Sequence, residues 1–191
     1  MPTLIFDVDN TLTPPREQIS QKMANLFIAI CNQNTVWLTT GSDATSIHRQ
    51  LGSLVSLPNR IFTNYCVESG FTPHPQNVYD YFNEYEYSIS AHKLTLTTVS
   101  DIAIRQSMVR QFKKDWPQLE FYVSGRRSID ILPAGVSKHT FLGVLSGTYT
   151  YFGDEFHEFG NDTTILAYEH KVLVHRVSNW QETYSKLREF L

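Results

Sequence analysis

The chain has 191 residues and a formal net charge of −3. That length allows one good core plus a small second module, and the mild negative charge excludes nucleic-acid or membrane-surface binding driven by bulk charge. No apolar run approaches transmembrane length and none reads as a signal peptide, so a soluble cytoplasmic protein is expected. Leu4, Ile5 and Phe6 form a short apolar run that ends in Asp7 and Asp9, followed by turn-forming polar residues. A buried parallel strand delivers side chains to its carboxyl end in this way. In open α/β sheets that end is where ligands bind. After Pro14 and Pro15, residues 19–30 carry Ile19, Met23, Phe27 and Ile30 at helical spacing. Residues 36–38 predict a second strand, with Ser42 or Asp43 capping a helix that runs to about Leu51. Residues 60–62 predict a short third strand.

From residue 67 to residue 132 the pattern changes. Residues 79–87 are aromatic and acidic, suited to a pocket lining, to packing or to an oligomer contact. Residues 93–97 alternate as a strand does. Residues 101–116 predict a helix with Ile102, Met108, Val109, Phe112 and Trp116 available for one face, stopped by Pro117. Residues 119–123 and 128–132 predict a hairpin joined by Ser124, Gly125, Arg126 and Arg127. Beyond it the spacing predicts a helix from about Ser137, a strand over 149–152, a helix over 161–168, a strand over 172–174 and a final helix over 180–191. The fold class expected is α/β: a doubly wound, Rossmann-like parallel sheet from residues 1–66 and 133–191, with a small α+β cap inserted at 67–132. Cys31 and Cys66 lack metal-ligand spacing and read as small core residues.

The polar residues at the strand ends suit phosphoryl transfer. Asp7 can attack phosphorus, and Asp9 can protonate a leaving oxygen. Two adjacent carboxylates repel unless a cation lies between them, which implies Mg²⁺. Thr40 can donate to a phosphate oxygen, with Thr39 and Ser42 as alternatives, and the amides of Gly41 and Ser42 favour an anion. Lys138 at a helix start opposes the helix dipole. That local cost is understandable if its ammonium meets a phosphate, and a surface lysine is the alternative. Asp154, after Gly153, is the natural third oxygen ligand. Asn161 and Asp162 either cap the next helix or support the metal and Lys138 from behind.

The run Asp7-Val8-Asp9-Asn10-Thr11-Leu12-Thr13 resembles the first motif of the haloacid dehalogenase superfamily of phosphatases and phosphotransferases. Together with Thr40-Gly41-Ser42-Asp43, the stretch from Gly125 to Lys138, and Phe152-Gly153-Asp154 followed by Gly160-Asn161-Asp162, it is similar to the eukaryotic phosphomannomutase branch and to Cof-like phosphatases with a C2-type cap. The resemblance implies that Asp7 is the nucleophile and Asp9 the acid/base. It implies that Asp7, Asp9 (through its backbone carbonyl) and Asp154 hold Mg²⁺. It places Arg16, Ser128 and Asp130 on sugar-phosphate positions, with Arg126 and Arg127 beside them facing the leaving group. One departure matters. The family's cap carries arginines for a second, distal phosphate in a segment that is shortened here, and residues 61–104 contain no arginine at all. The reading is therefore a Mg²⁺-dependent phosphatase acting on a small phosphorylated metabolite, as a monomer or homodimer. A sugar phosphomutase is the alternative. A non-catalytic binding domain is disfavoured, because every motif residue is present.

Overall fold

The computed structural model describes residues 3–66, 74–90 and 93–191. Their strands, in chain order, are β1 (Thr3–Phe6), β2 (Val36–Thr39), β3 (Arg60–Phe62), β4 (Glu86–Ser90), β5 (Lys93–Thr97), β6 (Leu119–Ser124), β7 (Ser128–Pro133), β8 (Tyr149–Gly153) and β9 (Val172–Arg176). The helices are α1 (Gln21–Gln33), α2 (Ala44–Leu51), α3 (Gln76–Tyr81), α4 (Ile102–Asp115) and α5 (Trp180–Leu187).

Five strands make a parallel sheet in the order β3-β2-β1-β8-β9. It is buried on both faces, which is why its strands read as short continuous apolar runs. Leu4 and Phe6 join Leu38, Phe27, Ile30 and Leu187 on the face covered by α1, α2 and α5. Ile5 points the other way, to Leu142, Tyr149, Tyr151 and Ile165. Each of Leu4, Ile5 and Phe6 contributes about 1.5–3 kcal/mol through such burial. Ser20 caps α1 by accepting from the Met23 amide, and Asp43 caps α2 by accepting from the Ser46 amide.

The register positions the site. Phe6 lies level with Leu38 of β2 and with Phe152 of β8. The carboxyl ends of three adjacent strands therefore finish together, delivering Asp7, Thr39-Thr40 and Gly153-Asp154 to one edge. The strand order reverses at β1, with β2 and β3 on one side and β8 and β9 on the other, and such a switch point is where these sheets bind ligands.

The second sheet is antiparallel, in the order β4-β5-β7-β6. Strand alternation divides its faces. Leu94, Leu96, Phe121, Val123, Ile129 and Ile131 pack with Phe82, Val109 and Phe112. Thr95, Ser124, Ser128 and Asp130 occupy the opposite face. This is the cap expected on the α/β core, and the expected start of the insert, residue 67, lies outside the described residues. The aromatic stretch 79–87 contributes to the cap's own interior: Phe82 is fully buried, Tyr79 and Tyr85 pack against it, and the Tyr81 hydroxyl donates to Asp115 at 2.6 Å.

Three expectations are corrected. The segment from Ser137 is a turn followed by a 3₁₀ segment, Thr140–Val144, so Lys138 does not begin an α-helix. Residues 161–168 supply only the 3₁₀ segment Thr163–Tyr168. The last helix ends at Leu187 and tightens to 3₁₀ over Arg188–Phe190. Short polar connections with strong side-chain anchors shorten these helices: Lys138 and Asp162 are bound to each other, and Thr140 closes onto Ser137 and Gly135. Ile102, at 41% exposure, also falls off the buried face of α4. Cys31 and Cys66 are free thiols, and burial pushes them up to about 12 and about 11.

Candidate active site

Asp7 leaves β1 with its amide donating to the Phe152 carbonyl at 2.9 Å, so β8 fixes its backbone. Its carboxylate is nearly inaccessible, at 4% exposure, and lies 2.8 Å from the Lys138 ammonium. Lys138 is 1% exposed and also donates to Asp162 at 2.7 Å and to the Asn161 side-chain oxygen at 2.9 Å. A turn delivers this lysine, and two carboxylates hold its charge. Burial opposes the ammonium, but Asp162 and Asp7 outweigh it and raise the lysine's pKa. Burial raises the pKa of Asp7, Lys138 opposes this, and the charges of Asp162 and Asp154 add to it.

Asp162 accepts two bonds on each oxygen. One oxygen takes Lys138 and the Tyr151 hydroxyl, and the other takes the amides of Asp154 and Glu155, both at 3.0 Å. Burial works against its ionisation, but Lys138, His139 and the Tyr151 hydroxyl hold it below the usual carboxylate range. Asp154 is steadied by the Asn10 side-chain amide at 2.8 Å and the Thr11 hydroxyl at 3.3 Å. Burial, then the charges of Asp162 and Glu155, raise its pKa to about 7.

Oxygens of Asp7, Asp154 and Asp162 all lie within 4.8 Å of one another. Three carboxylates face a single ammonium, and every donor is oxygen. That donor set fits a hard divalent cation such as Mg²⁺. Asp162 already accepts two bonds on each oxygen and Asp154 only one on each, so Asp7 and Asp154 have the greater remaining ligand capacity.

The Asp9 carboxylate turns to other donors. It accepts from the Arg16 amide at 2.7 Å, the Gln50 side-chain amide at 2.7 Å and the Ser42 hydroxyl at 3.2 Å. Arg16 thus touches the site through its backbone, while its side chain is exposed. Thr39 is turned away, donating to the Lys138 carbonyl at 2.6 Å. The Thr40 hydroxyl instead accepts from the Ser42 amide at 3.0 Å, at the mouth of α2. Gly41 closes against Tyr65: a Cβ added there would meet the Tyr65 ring at 2.7 Å.

A family model described as eukaryotic phosphomannomutase matches residues 95–191. The chain belongs to this family, a branch of the haloacid dehalogenase superfamily. The phosphomannomutase of Nicotiana benthamiana is 24% identical over 237 residues, covering 97% of this chain and 92% of its own length. That of Saccharomyces cerevisiae is 24% identical over 236 residues, covering 97% and 92%. Alignments of that length against 191 residues mean that the relatives carry segments this chain lacks. Among solved structures, the fold is similar to the IMP-bound Plasmodium falciparum IMP-nucleotidase (TM-score 0.75, 14% identity, 98% of this chain and 67% of that one). It is also similar to a trehalose-6-phosphate phosphatase related protein (TM-score 0.61, 13% identity, 98% and 96%).

In this phosphomannomutase-family chain the structure gathers Asp7, Thr40, Lys138, Asp154, Asn161 and Asp162, with Asp9, Gly41 and Ser42 beside them. The cap residues divide. Asp130 faces the core, accepting from the Tyr65 hydroxyl at 2.6 Å. Ser128 is buried on the same strand. Arg126 and Arg127 border a cavity of about 540 Å³ with Val99 and Ser100, whose lining includes neither Asp7 nor Lys138. The sequence reading missed Gln50, Tyr65, His139 and Tyr151. Gln50 lies on a helix face with no motif around it. Tyr151 alternates with Phe152 in an apolar strand, where its hydroxyl gave no signal.

Proposed function

We propose that this protein is a Mg²⁺-dependent phosphomonoesterase that works through an aspartyl-phosphate intermediate. The observation carrying the proposal is the buried Asp7 carboxylate, held 2.8 Å from Lys138 and grouped with Asp154 and Asp162. Asp7 attacks phosphorus in line. Asp9, which the Arg16 amide and Gln50 aim, protonates the leaving alkoxide and then takes the proton of the water that opens the intermediate. Lys138 and the Thr40–Ser42 turn stabilise charge on the phosphoryl oxygens, where most of the catalysis in phosphoryl transfer resides. Mg²⁺, held by Asp7, Asp154 and the Asp9 carbonyl with Asp162 behind them, would neutralise the charge of attacking and attacked groups alike. Asp7 and Lys138 are only 4% and 1% exposed, so in this reading the cap moves aside to admit the substrate.

The fate of the cap's arginines favours hydrolysis over phosphoryl return. Arg105 is buried and donates to the carbonyls of Ser124, Gly125 and Ser128. Arg110 is paired with Glu158, and Arg127 donates through Nε to the Thr98 carbonyl at 2.8 Å. Of the cap arginines Arg105, Arg110, Arg126 and Arg127, three are thus engaged with protein rather than left for a distal phosphate. The structural neighbours named as an IMP-nucleotidase and a trehalose-6-phosphate phosphatase related protein fit this reading. Family membership favours the second reading, a sugar phosphomutase activated by a sugar bisphosphate.

The test is a screen of phosphorylated sugars, nucleotides and small acids for phosphate release, run beside Asp7→Asn. The isosteric amide is not nucleophilic, so turnover should fall below a few per cent while the fold is retained. A variant keeping more than that overturns the covalent mechanism.

A further inference from the structure

The chain is bent at some cost to place one phenol between the two sheets. Asn64, Tyr65 and Cys66 are three successive non-glycine residues in the left-handed region, with φ of 50°, 58° and 65°. Side chains other than glycine disfavour that conformation, and it persists only where the surroundings over-determine it. Here they do. The Tyr65 amide donates to the Thr40 carbonyl at 3.1 Å and the Asn64 amide to the Ser42 carbonyl at 2.9 Å. The ring, fully buried, stacks on Tyr122 of the cap at 5.6 Å and fills the space a side chain at residue 41 would need.

The phenol's partners form a continuous line. On the cap side it donates to Asp130 at 2.6 Å, and Asp130 is fixed by the hydroxyls of Thr95 at 2.7 Å and Ser124 at 2.9 Å. On the core side it accepts from the Asn161 amide at 3.4 Å. The Asn161 oxygen accepts from Lys138 at 2.9 Å, and Lys138 lies 2.8 Å from Asp7. Burial and the neighbouring Asp130 raise the phenol's pKa, so it remains a donor.

We infer that Tyr65 is a positioning residue that transmits the seated position of the cap, through Asp130 on one side and Asn161 on the other, to the Lys138 ammonium beside Asp7. With the cap closed, the phenol orients the Asn161 amide, and that leaves the Asn161 oxygen aimed at Lys138. With the cap open, Asp130 departs and the amide loses its fixed neighbour. The inference rests on Asp7 and Lys138 being the reacting centre, but it holds whether the phosphoryl group passes to water or to a sugar.

The experiment compares wild type, Tyr65→Phe, Asp130→Asn and the double variant on p-nitrophenyl phosphate with saturating Mg²⁺. That substrate has no sugar hydroxyls, so Asp130 cannot act by binding them. Misplacing a charge-stabilising group weakens the chemical step, so Tyr65→Phe should lower kcat about tenfold with KM within about twofold. Asp130→Asn should do the same. The double variant should lose little more than either single one, because groups acting in one line are not additive. Melting within a few degrees of wild type shows that the ring still packs. Unchanged kcat in Tyr65→Phe, or fully additive losses, overturns the inference. Should Tyr65→Phe fail to fold, Asp130→Asn alone decides, by its kcat. Wild-type protein that binds orthovanadate with Mg²⁺ but releases no phosphate contradicts the phosphatase reading only. The same variants are then read by orthovanadate affinity, which should weaken about fivefold, and equal affinity overturns the Tyr65 inference.

Discussion

Asp162 shows how one buried side chain sets the chemistry of several others. It accepts four hydrogen bonds, fixes the backbone that carries Asp154, and shares Lys138 with Asp7. Its charge also reaches His139, which is fully buried, edge-on to Tyr151, with Nδ1 2.7 Å from the Thr164 hydroxyl. Burial drives His139 down to about 3, and the opposing pull of Asp162 does not rescue it. The folded protein therefore keeps this ring neutral where the unfolded chain would protonate it. The unfolded state binds more protons, so stability rises with pH in this window. The contribution is complete above about pH 6.5 and is lost as pH falls toward about 3, at up to about 1.4 kcal/mol per pH unit. His139→Leu should flatten that slope in urea denaturation measured from pH 7 to pH 4. Parallel curves for variant and wild type would contradict the assignment.

At the scale of elements, the connection between Asp154 and Asp162 carries both acids on a tight turn. The Asp162 amide returns to the Glu155 carbonyl at 3.1 Å and the Gly160 amide to the His157 carbonyl at 2.8 Å. A Cβ at residue 160 would lie 2.1 Å from the Glu155 carbonyl oxygen, which is backbone and cannot swing aside. Gly160→Ala should cost about 1–3 kcal/mol by overpacking, seen as a lower urea midpoint, and should weaken Mg²⁺ binding in calorimetry. Wild-type values for both would show that the turn yields freely. The sequence made the strands legible because their apolar runs end in polar residues, as with Phe6-Asp7 and Gly153-Asp154. It made the Asp101-capped α4 legible through its spacing. It misjudged the segments at 137–144 and 161–168, where the pattern is helical but Lys138 and Asp162 bind each other and stop the helix from forming. Tyr65 stayed invisible because nothing in Asn64-Tyr65-Cys66 announces three left-handed residues without a glycine.

In the whole molecule three contacts help to fasten the cap to the core, two of them made by cationic side chains. Lys93 donates to the Gly41 carbonyl at 2.6 Å, Arg110 pairs with Glu158, and the Val123 amide donates to the Phe159 carbonyl at 2.8 Å. The first two use Lys93 and Arg110, cations that a bisphosphate-holding cap would keep free. In a mutase the bisphosphate intermediate must stay bound, or return, while it reverses, held by charge-assisted contacts of roughly 1.5–3 kcal/mol each. Losing two such contacts weakens that hold by about two to four powers of ten, and water then competes for the aspartyl phosphate. The most direct test supplies a hexose 1-phosphate, Mg²⁺ and a catalytic amount of hexose 1,6-bisphosphate, and follows inorganic phosphate and hexose 6-phosphate together. Phosphate release with little or no hexose 6-phosphate is the predicted result. Hexose 6-phosphate formed faster than phosphate is released would contradict it.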